Sequence, residues 1–376
     1  MNWATPEGKE LRRKLRDRVN IDGVSYAEAG REYNLTSEQV RKALRRYAEE
    51  DSTPPPIDRG PNDCWLNAFP NEKRVQHGSV VYANLRVPDP EAIETYRRAM
   101  LQLQAADEVL ETRQVEVTIE LPGSLPVGFA YTGDWHTGGK GVYYELSEAD
   151  WDLIMVTEGL YAFGMGDYGD DYITRSHPGG QFGQIIQPSR QYQIVRARMG
   201  NAPRGKVLGL ACGCHDHWVF REVSEDVVAE LCKLADCANL WHGATVTVKV
   251  GRETYTFHIR HKFPFESRFN TTNAQRRMME FFGPADWAVL GHLHYPEVDT
   301  RPLAGERRSL IRSGSYKVWD DYGQQLAGFK GKPGVPVVIV WPDKHWHVAF
   351  DDLRTGVLHL QAVRAAYEAG KTVHAA

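Results

Sequence analysis

A chain of 376 residues has room for one large α/β domain and a small accessory module, and its net charge of −4 excludes a chain-wide nucleic-acid coat while leaving space for a local basic patch. Five cysteines, an odd number without framework spacing, exclude a disulfide-stapled secreted domain. The opening "MNWATPEGKELRRKLRDR" lacks an apolar core, and the longest apolar run, Gly334 to Trp341, is too short for a bilayer, so the chain reads as cytoplasmic, with reduced thiols and no membrane partner.

The first fifty residues read as helices: charged "GKELRRKLRDRV", short amphipathic "SYAEAGREYN", and longer "TSEQVRKALRRYAEE". Thr36 or Ser37 caps the third, and its acids lie early and its bases late, as the helix dipole favours. The tight turn "YNLTS" gives the spacing of a DNA-binding helix-turn-helix, with Arg41, Lys42, Arg45 and Arg46 on the recognition helix. Residues 1–50 are therefore expected to form a helical module that contacts DNA. The bland alternative is a docking or dimerisation hairpin whose arginines solvate its outer face. "DSTPPPIDRGPND" is a semi-rigid linker, and Trp65 to Pro90 reads as irregular. "PEAIETYRRAMLQLQAADEVLE", with proline at its start and a 3.6-residue apolar period, is a helix connecting the modules. Linker and helix together occupy 51–110.

From "QVEVTIEL" onward, short apolar strands alternate with helical segments, so 111–376 reads as a layered α/β domain. Its strands end alike. "VGFAY" runs into Asp134 and His136, "LYAFGM" into Asp167, Asp170 and Asp171, "KVLGLA" into "CGCHDH", and "DWAVL" into His292 and His294. Ligands bind beyond the carboxyl ends of such strands, so these groups are expected in one crevice. A lone D-x-H is weak, since a strand-end Asp usually caps the next helix; four strands ending alike are hard to assign to chance. Carboxylates with imidazoles suit Mn²⁺, Fe²⁺ or Zn²⁺, and the donors exceed what one ion uses, which implies two ions bridged by one aspartate. "GRETYTFHIRHKFPF" adds a fifth segment. Tyr255, Phe257 and Ile259 share a face that continues to His261, while His258 and Arg260 lie opposite. With the apolar face inward His261 is the ligand, and His258 is its competitor. "GMGDYG" matches a dinucleotide fingerprint, but its carboxylates call for a cation where pyrophosphate would need amides.

In this order the motifs resemble the calcineurin-like metallophosphoesterase family: Asp134-Trp-His136, Gly166-Asp167-Tyr-Gly-Asp170, Gly213-Cys214-His215-Asp216, His261 and Gly291-His292-Leu-His294. The helical N-terminus points within it to phage and bacterial members of DNA-repair-exonuclease type. The resemblance covers residues 113 to 350 and implies a two-sheet α/β sandwich with the metals at the strand ends. It implies that Asp134, His136 and His294 hold one metal, that Asp167 bridges, and that position 214, His261 and His292 hold the other. Asp170 would orient ligands, and His215 would assist the leaving group with Asp216 fixing its tautomer. The implied reaction is phosphodiester hydrolysis on DNA by in-line attack of a hydroxide bridging two divalent ions, Mn²⁺ foremost, with Fe²⁺ or Zn²⁺ as alternatives.

The family has Asn where this chain has Cys214. Either the thiolate ligates and shifts preference to softer ions, or water takes the position, or the loop presents another residue such as His217. Two further functional readings stand beside the nuclease. One is a phosphoesterase for a cyclic nucleotide or monoester that uses its helices for assembly. The other is a DNA-binding regulator with an inactive phosphoesterase domain. A separate zinc site from Cys212, Cys214, Cys232 and Cys237 is disfavoured by spacing, since buried structural thiols account for Cys232 and Cys237.

Overall fold

The computed structural model describes residues 5–20, 24–51, 72–86, 90–173, 180–267, 269–319 and 331–370. Two compact units divide the chain, Met1–Ala106 and Asp107–Ala376.

The first unit opens with α1 (Pro6–Asn20), α2 (Tyr26–Glu32) and α3 (Ser37–Asp51), packed around buried Leu15, Ala29, Val40 and Ala43. Ser25 Oγ caps α2 by accepting from Glu28 N at 3.3 Å. Ahead of α3, Gln39 N donates to Thr36 Oγ1 at 3.2 Å and Thr36 N donates to Gln39 Oε1 at 2.8 Å, a reciprocal capping box. The turn between α2 and α3 takes Asn34 through φ 55° and lies so close to α2 that a Cβ on Gly30 would stand 2.4 Å from Leu35 O. Arg41 and Lys42 are exposed on α3, Lys42 lying 3.7 Å from Glu38. The side chains of Arg45 and Arg46, and the proline-rich linker after Asp51, lie outside the described residues.

Within the stretch read as irregular, β1 (Glu72–His77) and β2 (Val80–Arg86) pair as an antiparallel hairpin. Gly78, at φ 62°, and Ser79 form a two-residue turn of the kind that joins paired strands, whereas β1 is mostly charged or polar and the apolar residues of β2 do not alternate cleanly. Helix α4 (Pro90–Leu110) starts at the expected proline and carries the chain across the boundary between the units.

The second unit runs β3 (Glu116–Leu121), β4 (Val127–Thr132), α5 (Tyr144–Val156), β5 (Leu160–Gly164), α6 (Pro188–Gly200), β6 (Val207–Ala211), α7 (Cys214–Val223), α8 (Val227–Ala235) and β7 (Ala238–Trp241). It continues with β8 (Ala244–Val250), β9 (Glu253–Arg260), α9 (Asn273–Phe282), β10 (Trp287–Leu290), β11 (Glu297–Leu303), β12 (Glu306–Arg312), β13 (Val337–Val340), β14 (His347–Phe350) and α10 (Leu353–Glu368). One six-stranded sheet has the order β14-β13-β4-β5-β6-β7, with β4 to β7 parallel and β13 antiparallel to β4. The other has the order β11-β12-β10-β9-β8-β3, with β9, β10 and β12 parallel.

Side-chain alternation explains the layering. Phe129, Tyr131, Val338 and Val340 point into the core between the sheets, against Phe257, Trp287 and Val289. Their neighbours Ala130, Val337 and Ile339 point the other way, onto Trp151, Val195, Leu231 and Leu360 of the outer helices. The first sheet is thus apolar on both faces because both are covered. In the second sheet β8 alternates buried Val246 and Val248 with more exposed Thr247 and Lys249. Full burial contributes roughly 1.5–3 kcal/mol per large apolar side chain, so this aromatic-rich inter-sheet core is the main anchor of the sandwich.

Candidate metal centre

The chain carries its acids and histidines just past the ends of five strands, β4, β5 and β6 from one sheet and β9 and β10 from the other. Donor atoms of Asp134, His136 and His294 lie within 4.8 Å of one another. So do those of Asp134, Asp167 and His261, and those of Cys214, His261 and His292. The seven residues expected to hold metal are therefore together, with Asp167 between the two ends of the cluster. The backbone is bent to achieve this: Asp134, His136, Asp167, His292 and His294 take φ of 48°, 46°, 53°, 72° and 56°. Such left-handed conformations cost side-chain-bearing residues free energy and concentrate at functional sites. Gly213 makes the approach possible, since a Cβ there would fall 2.0 Å from Asp167 Oδ1.

His261 and His136 each have one ring nitrogen turned into the site by what the other nitrogen bonds. His261 Nδ1 donates to Met165 O at 2.8 Å, so Nε2 faces Asp167 Oδ2 at 3.2 Å. His136 Nδ1 bonds Asp170 Oδ1 at 3.1 Å, turning Nε2 toward His294 Nε2, also at 3.1 Å. Asp134 Oδ2 accepts from His292 N at 3.1 Å, while Oδ1 lies 3.4 Å from His294 Nε2. Asp134 Oδ1 and His261 Nε2 are buried without a well-aligned hydrogen bond. Lone pairs thus converge on one another in a buried space, an arrangement that divalent cations relieve. Cys214 Sγ stands 3.8 Å from His292 Nδ1, placing the thiol in the donor set at the position where Asn is expected.

The electrostatics agree. Burial raises the Asp167 carboxyl, but His261 and His215 overcome it and hold it well below the ordinary range. Burial lowers His261, and Asp167 overcomes that, raising it well above its usual value. His292 is pushed down to about 3 by burial and by His261. One imidazole thus keeps a proton on behalf of the carboxylates, and a bound cation would displace it. Burial pushes His215 down to about 4 against the pull of Asp167.

Some expectations change. The His215 ring does not bond Asp216: its Nδ1 donates to the backbone carbonyl of Asp170. Asp216 instead accepts from the N–H groups of Asp167, Gly213 and Tyr168 at 2.7, 2.8 and 3.2 Å, and from Tyr192 Oη at 3.1 Å. Its carboxylate locks two loops together, because amides of the loop after β5 and the Gly213 amide at the start of α7 take it in place of the ring. His258 bonds Thr245 Oγ1 at 3.0 Å and Gly283 O at 2.8 Å with its two nitrogens, so strand parity leaves His261 as the donor. His217 groups with Cys212 and His242, away from position 214. Arg41 and Lys42 sit on α3 of the other unit.

Sequence reasoning missed Lys317. Its buried Nζ bonds Asp170 Oδ1 at 2.7 Å, from a loop after β12 with no motif of its own. Burial raises the Asp170 carboxyl, and the His136 bond and the Lys317 charge override it, leaving it below the ordinary value. It also missed Trp218 and Tyr172, whose rings lie 4.0 and 5.1 Å from that of His215. Aromatic side chains carry no signal of this kind until the fold assembles them.

No family model and no curated protein matches the chain. Among solved structures it is similar to Entamoeba histolytica Vps29 complexed with zinc, at 12% identity and a TM-score of 0.29, covering 60% of this chain and 99% of that one. A predicted phosphoesterase from Streptococcus pneumoniae matches at 11% identity and a TM-score of 0.29, covering 61% and 99%. The Pseudomonas putida nuclease MPE matches at 13% identity and a TM-score of 0.28, covering 58% and 87%.

Proposed function

We propose that the chain is a metal-dependent phosphoesterase of the calcineurin-like family, that it hydrolyses phosphodiester bonds, and that its substrate is DNA. The observation that carries the reading is the set of seven donors from five strand ends, four of them buried and Cys214, His292 and His294 half-buried, arranged as two groups either side of Asp167. Asp134, His136 and His294 would hold one ion and Cys214, His261 and His292 the other, with Asp167 shared. Bound there, a divalent pair supplies a hydroxide near neutral pH and neutralises phosphate charge.

The chain's own residues do the rest. His215 has Nδ1–H committed to Asp170 O, so its Nε2 is the atom left to meet a phosphate or leaving oxygen. The ring stands edge-on to His136 at 4.7 Å between centroids and is walled by Trp218 and Tyr172. Those walls fix its orientation and keep water from its faces. Asp170 and Lys317 hold His136 in its tautomer. Mn²⁺ suits the carboxylates and imidazoles, and Cys214 shifts the second position toward Zn²⁺ or Fe²⁺. A DNA substrate is supported by the exposed Arg41 and Lys42 on a helix that follows a tight turn.

Hydrolysis of bis-p-nitrophenyl phosphate is the test. Turnover is expected to need added Mn²⁺, to vanish with EDTA, and to fall by on the order of 10²–10⁴-fold in His215→Ala. Full activity in EDTA-stripped protein would overturn the reading, as would an unimpaired His215→Ala variant.

A further inference from the structure

A second donor cluster lies beside the proposed centre and shares no residue with it. Strands β6 and β7 run parallel with Ala211 opposite Trp241, which places the next residues, Cys212 and His242, side by side at the sheet's end. Trp241 turns the chain there through φ 42°, and Cys212 N donates to Trp241 O at 2.6 Å. His217 arrives from the first turn of α7, its N–H bonded to Gly213 O at 3.1 Å. The Cys212 thiol and one ring nitrogen from each histidine all lie within 4.8 Å of one another.

Two further observations point to a ligand. His217 Nδ1 is buried and has no hydrogen-bond partner, an orphaned lone pair or N–H that normally costs free energy. The rings of His217 and His242 meet nearly edge-on, 4.8 Å between centroids and 77° apart, with one nitrogen of each within 4.8 Å of the thiol. Around a tetrahedral zinc the donors stand roughly 3.3–3.8 Å apart, within reach of small side-chain rotations from the present spacing.

We propose that Cys212, His217 and His242 bind a Zn²⁺ ion, with water as the fourth ligand. One thiolate and two neutral imidazoles form a soft-to-borderline set that selects Zn²⁺ over Mn²⁺. The metal would draw off the thiol proton on binding. His242 is exposed and Cys212 buried, so the ion enters from the surface and pins the start of α7 to the ends of β6 and β7. That pinned turn is the one that also carries Cys214, His215 and Asp216.

The test uses the full chain, stripped of metal and titrated with Co²⁺ and then Zn²⁺, and reads absorption and zinc content, not turnover. Because Cys214 supplies a thiol to the other cluster, the background is Cys214→Ser. Cobalt is expected to give a thiolate-to-metal charge-transfer band in Cys214→Ser, and zinc to abolish it. Adding His242→Ala, a surface change that leaves the core intact, should weaken that binding by about tenfold or more, and Cys212→Ser should remove the band. A Cys214→Ser protein without the band would overturn the proposal, as would a band unchanged by His242→Ala. Either result would leave the three residues as a packing cluster around Trp241 and Phe220, whatever the outcome for the phosphoesterase reading.

Discussion

Asp170 shows how single side chains in this site depend on partners far along the chain. Its carboxylate takes the His136 ring on the same oxygen that receives the Lys317 ammonium, and all three are buried. Removing one member of a buried ion pair leaves the other charge without compensation and costs about 3–5 kcal/mol. Lys317→Ala is therefore expected to unfold at markedly lower denaturant and to bind metal roughly 10–100-fold more weakly, because His136 loses its orientation. Chemical denaturation and metal titration would check both effects, and a variant matching the parent in both would contradict the role given to Lys317. The local strand-end motifs were readable because ligand, glycine and strand lie within a few residues of one another. Lys317 was not, since its partner is 147 residues away. Asp216 was misread for a related reason: the amides that capture its carboxylate become available only when the β5 and β6 loops meet.

Among the elements, β14 and β12 belong to different sheets and are tied by His347, whose Nε2 lies 2.9 Å from Ser309 Oγ. Burial pushes this histidine from its ordinary 6.5 down to about 4. The folded value lies below the unfolded one, so the native state binds fewer protons between them. The stability tied to the neutral ring is fully present above pH 6.5 and lost as pH falls toward 4. The effect is on the order of 3 kcal/mol across that window. His347→Gln should flatten the fall in stability between pH 7 and pH 4.5 relative to the parent, measured by urea unfolding; equal slopes would contradict it. The sheets were only half legible at this scale. Short apolar runs marked the strands, and a period of two marked β9, but pairings such as β3 with β8 join segments over a hundred residues apart and leave no local trace. The β1–β2 hairpin escaped notice because its signal is the Gly78–Ser79 turn and not its side chains.

Across the whole molecule, helices that expose Arg41 and Lys42 precede an acid- and histidine-lined centre, and DNA binding would give the first a reason to accompany the second. If Arg41 and Lys42 contact phosphates, replacing both with alanine in the full chain should weaken duplex binding and reduce the salt slope by about two. An unchanged slope would assign those residues to surface solvation and favour a small phosphoester as substrate. Hydrolysis of bis-p-nitrophenyl phosphate by the same variant should be unaltered.

In the proposed centre, seven donors from five strand ends would hold two ions either side of Asp167. Anomalous diffraction at the manganese edge, on crystals of the chain grown with Mn²⁺, addresses it directly. Two peaks are expected roughly 3.5–4 Å apart, one among Asp134, His136 and His294 and the other among Cys214, His261 and His292. A single peak, or manganese bound only elsewhere, would contradict it.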